Sequence, residues 1–198
     1  MTEEKRRQLV RTLLAVEQMV SELSDYFARD ELFRQLVVHT PWGDDLPKMS
    51  LGGLVERLQY LQRHRDMLTA EEQERLDKAW QAYEEAIRYR RQEVAHRLRR
   101  EFKSFLNSWK WYLDELRENP DKVADYPAEV HNRLRLTTLL NEARRLGIDL
   151  DPEQLRQLEE LDDFLRSHWT PGNFSLKGFG PDDFSPEAHW YLYGRPQL

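Results

Sequence analysis

Large apolar residues return along this chain at steps of three, four and seven, the period of helices buried on one face. The longest such run begins at Leu76 and continues through Trp80, Tyr83, Ile87, Val94, Leu98, Phe102, Phe105, Trp109, Leu113 and Leu116. Neither Pro nor Gly lies between Thr69 and Leu116, so nothing in the local chemistry demands a break. Thr69 with Glu72 makes a capping box, and Asn119-Pro120 supplies a stop. The pattern predicts one very long helix over Thr69–Leu116, roughly 70 Å at about 1.5 Å per residue. A compact chain of this length has a radius of gyration of only about 16 to 17 Å. Such a helix projects from the body unless a partner covers part of it.

Four shorter amphipathic stretches surround it. The first opens at Thr2 as N-cap and carries Leu9, Leu13, Val16, Val20, Leu23 and Phe27. Leu32, Phe33, Leu36 and Val37 follow Asp30 and read as its continuation past a slight bend. His39 to Pro47 is a loop by its two Pro, its Gly and its paired Asp, with Trp42 anchoring it to the body. Ser50 caps a helix carrying Leu54, Leu58, Leu61 and Leu68, which turns directly into the long one as an αα-hairpin. Pro127 opens the next helix, along Val130, Leu134, Leu136, Leu139, Leu140, Ala143 and Leu146, and Gly147 ends it. Asp151 caps the last, with Pro152 at its first position and Leu155, Leu158, Leu161, Leu165 and Trp169 inward.

The final thirty residues change character. Trp169, Phe174, Phe179, Phe184, Trp190, Tyr191 and Tyr193 are set among Gly and Pro, and Ser185-Pro186-Glu187 opens a short helical turn. Disordered tails are poor in aromatics, so this segment is expected to lie against the helices. The organisation expected is a helical bundle over residues 1–168, with an aromatic segment over 169–198 packed on it as part of the same domain.

Composition sharpens this into a fold class. Of the 198 residues, 39% are hydrophobic and 33% charged, with only 8 Gly and helix formers dominant. The expectation is an all-α protein: an antiparallel bundle of about five helices built on one very long central helix, with seams of coiled-coil type. The net charge of −6 gives no global case for nucleic acid or an anionic membrane. With no Cys there is no thiol nucleophile or thiolate zinc site. The charged N-terminus and the absence of 18 consecutive apolar residues lead us to expect a cytoplasmic protein without membrane contact.

Chemistry-bearing motifs are sparse. Glu93-Val94-Ala95-His96 is the half-site of a di-metal carboxylate bundle, but that centre needs a second Glu-x-x-His, and the chain has none. No Gly-x-Ser-x-Gly elbow and no glycine-rich phosphate loop occurs, so an enzyme is unsupported. No catalytic residue, metal ligand or cofactor is assigned. Charge is most uneven between 88 and 101, where six arginines stand against two glutamates, and between 149 and 163, where seven acids stand against Arg156. These two stretches are expected to neutralise each other or to be separately solvated.

The function expected is therefore a non-catalytic interaction or scaffolding protein, with a second copy of itself or another protein as partner. Its interface would be the ring-rich far end of the seam, Phe102, Phe105, Trp109, Trp111, Tyr112 and Leu116, joined by Trp190. One alternative is a nucleic-acid-associated protein working through Arg90, Arg91, Arg97 and Arg100. Another is a metal or small-ligand site in the bundle, involving Glu93 and His96.

Overall fold

The computed structural model describes residues 2–198. The described residues form seven α-helices and three two-stranded ladders, and the fold is predominantly all-α. By compactness the chain divides into two units, Met1–Glu101 and Phe102–Leu198. The division falls inside a helix, where no shift in composition marks it.

In the first unit, α1 (Glu3–Ser21) packs on α3 (Leu51–Arg63) and on α4 (Ala70–Tyr89), and α3 also packs on α4, the pairing expected of two helices joined by a short turn. Leu9, Leu13, Val16 and Met19 of α1, Leu54, Leu58 and Leu61 of α3, and Leu76 and Tyr83 of α4 are completely or almost completely buried. Each N-terminus is capped by the residue its sequence designates. The Thr2 hydroxyl accepts from the Lys5 N–H, that of Ser50 from Gly53, and that of Thr69 from Glu72. Glu72 returns the Thr69 bond and also takes both ends of the Arg6 guanidinium, tying α4 to α1.

Two features of this unit differ from the sequence expectation. The long helix is interrupted at Arg90 (φ −127°, ψ 38°), which separates α4 from α5 (Arg91–Glu118). The Arg90 N–H still reaches the Ala86 carbonyl and the Val94 N–H still reaches Arg90, so this is a single-residue kink and the chain runs on through it. Neither Pro nor Gly causes it; it lies beside α2 (Leu23–Ala28), whose Ser24 hydroxyl accepts a hydrogen bond from the Arg90 guanidinium. The second difference is the segment after Asp30, which does not continue a helix. Arg29 is extended (ψ 156°), and residues 34–49 fold into two small antiparallel ladders. β1 (Arg34–Gln35) pairs with β4 (Lys48–Met49), and β2 (Val38–Thr40) pairs with β3 (Gly43–Asp45). Helix periodicity misleads here because Leu36 and Val38 bury themselves by strand alternation, against partners that lie several residues further along the chain.

The second unit holds the rest of α5, α6 (Tyr126–Leu146), α7 (Pro152–Ser167) and the aromatic C-terminal segment. Gly147 ends α6 in the left-handed conformation (φ 61°), and the Asp151 carboxylate caps α7 through the Glu153 N–H. The C-terminal segment is a twisted pair, β5 (Trp169–Phe174) with β6 (Tyr193–Pro196), rather than a plain coil. Tyr191 fastens it to α6: its carbonyl accepts from the Tyr126 hydroxyl, its hydroxyl meets that of Thr137, and its ring lies under the Arg133 guanidinium. Arg133 in turn makes a buried two-pronged pair with Asp162 of α7, both contacts 2.7 Å.

Candidate functional site

The ring-rich end of the seam is a core. Phe102, Trp109, Tyr112, Leu113 and Leu116 are all buried. Within the second unit Trp109 stacks on Tyr112, both lie against Tyr126, and Tyr126 lies against Trp169 of β5. Burial and neighbouring acids, with Asp125 the first of them, push the Tyr112 hydroxyl above its ordinary range. The seam left bare in the sequence reading is thus met by Tyr126, the first residue of α6, which in turn carries Trp169 of β5, rings that no helical period could assign to it. Phe105 is half-buried beside Arg135, and Trp190 is half-buried between Trp169 and Arg166. Trp111 alone of the seven stands out from the unit, 63% exposed.

The four arginines of the nucleic-acid reading are distributed differently from one another. Arg97 is buried, donating 2.5 Å to the Glu31 carbonyl and 2.7 Å to that of Tyr26, with its guanidinium 4.5 Å from the centre of the Tyr26 ring. It therefore closes the C-terminal end of α2, where helix carbonyls lack partners of their own. Arg100 holds both the carbonyl and the carboxylate of Asp30, and Arg90 holds Ser24. Arg91 is exposed. The acids of α7 also find partners in their own unit, Asp162 with Arg133 and both Glu153 and Glu160 with Arg156.

Two of the four arginines, Arg97 and Arg100, border a cleft of about 510 Å³ in the first unit. One wall is a single face of α5, with Gln92 and Glu93, then His96 and Arg97, then Arg100 at successive turns. The other wall is Phe27, Ala28, Arg29 and Asp30. Glu93 and His96, the two residues of the half-site, both lie here and both are exposed. Among the described residues, no group of three or more His, Cys, Asp or Glu could hold a metal ion.

Below that region lies a carboxylate that sequence reasoning missed. Glu101 is 0% exposed and accepts 2.5 Å bonds from the Tyr26 hydroxyl and the Leu51 N–H, and a 2.9 Å bond from the Gly52 N–H. With Ser50 bonding Gly53, every otherwise unpaired N–H of the first turn of α3 is satisfied, and the negative charge sits at the positive end of that helix. Burial first, then the charge and hydrogen bond of Glu101, drive the Tyr26 hydroxyl far above its ordinary range, so it is a donor at every accessible pH. Only the Glu at position i+4 from Arg97 hinted at it, and that spacing is common on any helix.

The hairpin is the other exposed feature. Val38 points inward and is buried, so by alternation Val37 and His39 face out. Extending the observed register by one step sets Val37 opposite Leu46; the next outward pair is His39 with Asp44, whose side chains lie 2.7 Å apart. Trp42 occupies the turn, where the Thr40 hydroxyl bonds both the Gly43 carbonyl and the Trp42 N–H. Gly43 takes φ 113°, a conformation that side chains resist. The anchoring role expected of Trp42 is met in part. Its ring lies 5.4 Å from the Arg7 guanidinium, yet it remains 41% exposed; Val37 at 51% and Leu46 at 55% are exposed at the other end of the hairpin. The sequence carried a usable sign, since Val37-Val38 and Leu46 flank a Thr-Pro-Trp-Gly turn.

A larger groove of about 610 Å³ in the second unit is lined by Val123, Tyr126 and Pro127 and by Pro171, Asn173 and Arg195. Among the described residues no helix is long and apolar enough to cross a membrane. No family model matches the chain, and comparison with curated proteins and with solved structures gave no match.

Proposed function

We propose that this protein is a non-catalytic interaction module that docks a protein partner through the β2–β3 hairpin, by its exposed tip and the Val37–Leu46 pair at its base. The observation that carries the reading is the joint exposure of Val37, Trp42 and Leu46 within ten residues, on a hairpin fixed at its turn and by the Arg11–Asp45 ion pair. Single exposed apolar residues are ordinary on any protein surface. An aromatic at the tip backed by an aliphatic pair is a contact surface, because its burial on docking costs little conformational entropy. Asp44, between the apolar pair and the tip, suits a partner whose apolar cleft is bordered by basic side chains. Most of the ring-rich seam at Phe102–Leu116 serves the interior of the second unit, which leaves the hairpin as the surface with three exposed apolar side chains within ten residues.

The test places a photo-crosslinking phenylalanine analogue at position 42 and, as control, at the isolated exposed position Tyr89. Crosslinking in cells should capture a protein from position 42 and not from 89, and V37S/L46S should abolish capture while leaving the far-ultraviolet circular dichroism unchanged. Capture of the chain itself identifies a homodimer; equal capture from both positions refutes the assignment.

A further inference from the structure

We infer that the cleft between residues 27–30 and the outer face of α5 is a binding site for a small organic phosphate. Three guanidinium groups line it, two of them, Arg29 and Arg100, in pairs that water screens. Arg97 forms the buried floor, held by two main-chain carbonyls and by the Tyr26 ring whose hydroxyl donates to Glu101, so it adds to the positive field of the cleft while Arg29 and Arg100 supply the contacts. Arg100 leans on Asp30, whose side chain is 96% exposed, so water screens that pair and a dianion can compete for it. Arg29 is held only loosely, 3.6 Å from Asp25, and is itself more than half exposed. His96 and Gln92 add an imidazole and an amide from adjacent turns of α5, both exposed at the mouth of the cleft.

A tetrahedral dianion matches this set better than a planar carboxylate does, because guanidinium groups stand on both walls and an imidazole on one of them. The volume suits a small ligand. Phe27 and Ala28 offer an apolar strip on the wall opposite His96 for the organic part. Glu93 is the one exposed acid on the α5 wall and opposes the ligand; its distance to Arg90 is 4.0 Å, the outer limit of an ion pair. The arrangement is confined to one concave patch, which fits a monoester and not a polymer lying along the helix.

Calorimetric titration of the full chain with phenyl phosphate at low ionic strength tests the site, with inorganic phosphate, benzoate and a single-stranded oligonucleotide as companions. Saturable binding of phenyl phosphate is expected, weaker for inorganic phosphate and weaker again for benzoate. H96A and R29Q alter exposed side chains that the fold does not need, and each should weaken binding about tenfold, the loss of one charge-assisted hydrogen bond. E93Q should tighten it about two- to fivefold, an outcome that a purely structural role for Glu93 would not give. The shifts of the His96 ring and the Gln92 amide should move on titration. Absence of saturation, affinity unchanged in H96A and R29Q, or tighter binding of the oligonucleotide than of phenyl phosphate would each overturn the assignment.

Discussion

Removal of the Glu101 carboxylate should be the most damaging single polar change in the first unit. Glu101→Ala strips the acceptors from the Leu51 and Gly52 N–H groups, both inside a buried first turn, while Tyr26 keeps its second partner, the Leu32 carbonyl. Two orphaned buried donors cost about 1 to 3 kcal/mol each. Loss of the charge at the start of α3 adds up to about 2 kcal/mol for a buried helix end. The total, about 2 to 8 kcal/mol with a middle near 5, is a large part of the roughly 5 to 15 kcal/mol that holds a domain folded. Glu101→Gln keeps the shape but turns one acceptor into a donor, and should cost about half as much. Tyr26→Phe leaves both α3 bonds intact and should cost about 1.5 kcal/mol, the value of one hydrogen bond to a charged group. Urea unfolding followed by circular dichroism should show midpoints falling in the order Tyr26→Phe, Glu101→Gln, Glu101→Ala. With a slope of about 2 kcal/mol per molar, the last falls by about 2 M. Hydrogen exchange provides the local readout, because Leu51 and Gly52 should lose protection ahead of the rest of α3. If Glu101→Ala costs no more than Tyr26→Phe, or if those two amides keep their protection, the carboxylate does not hold the start of α3.

Three further outcomes are expected. Arg133→Met or Asp162→Leu alone should destabilise by about 3 to 5 kcal/mol, because each leaves a buried charge unmatched, whereas the double variant should recover most of the loss; thermal melts of the four proteins check this, and additive losses would refute it. Gly194→Ala should weaken the C-terminal hairpin by about 2 kcal/mol or more, since Gly194 has φ 150° and an added carbon would meet the Thr170 carbonyl and the Trp169 ring; the signature is early loss of the near-ultraviolet signal of the packed tryptophans. Glu72 is the pH-sensitive group. Burial pushes its carboxyl upward, but the Arg6 fork and the Thr69 N–H outweigh that and hold it below its ordinary value. A depressed folded value means that this stabilisation is complete above about pH 4.3 and drains away as pH falls toward the lower folded value. An acid titration should therefore show a loss that Glu72→Gln reduces, and identical acid profiles would contradict it.

Much of the scaffold was legible because its determinants act over two to four residues. Thr2, Ser50, Thr69 and Asp151 cap as their neighbours dictate, and Gly147 ends α6 because only a residue without a side chain takes that left-handed turn without cost. The apolar stripes named the buried residues well. Val94, Leu98, Phe102, Trp109, Leu113 and Leu116 are all in cores, and Leu158, Leu161 and Leu165 line the inner side of α7. The candidate sites were far less legible. Stripe arithmetic shows that Phe102 to Leu116 must be covered, and it cannot distinguish a cover made by the same chain from one made by another.

The sequence alone determined a predominantly all-α chain, the caps that open α1, α3, α4 and α7, and most of the faces that must be buried, since all of these follow from local hydrogen bonding and a 3.6-residue period. Tertiary structure decided the rest. It kinked the long helix at Arg90 without Pro or Gly, and it turned the residues after Asp30 into strands by pairing them with residues 43–49. It also brought Glu101 to the start of α3, 50 residues away in sequence, and Trp169 to Tyr126. The physical reason is range. A cap or a stripe is fixed by neighbours along the chain, whereas a buried charge, a strand partner or a ring cluster is fixed by groups that meet only once the chain has folded.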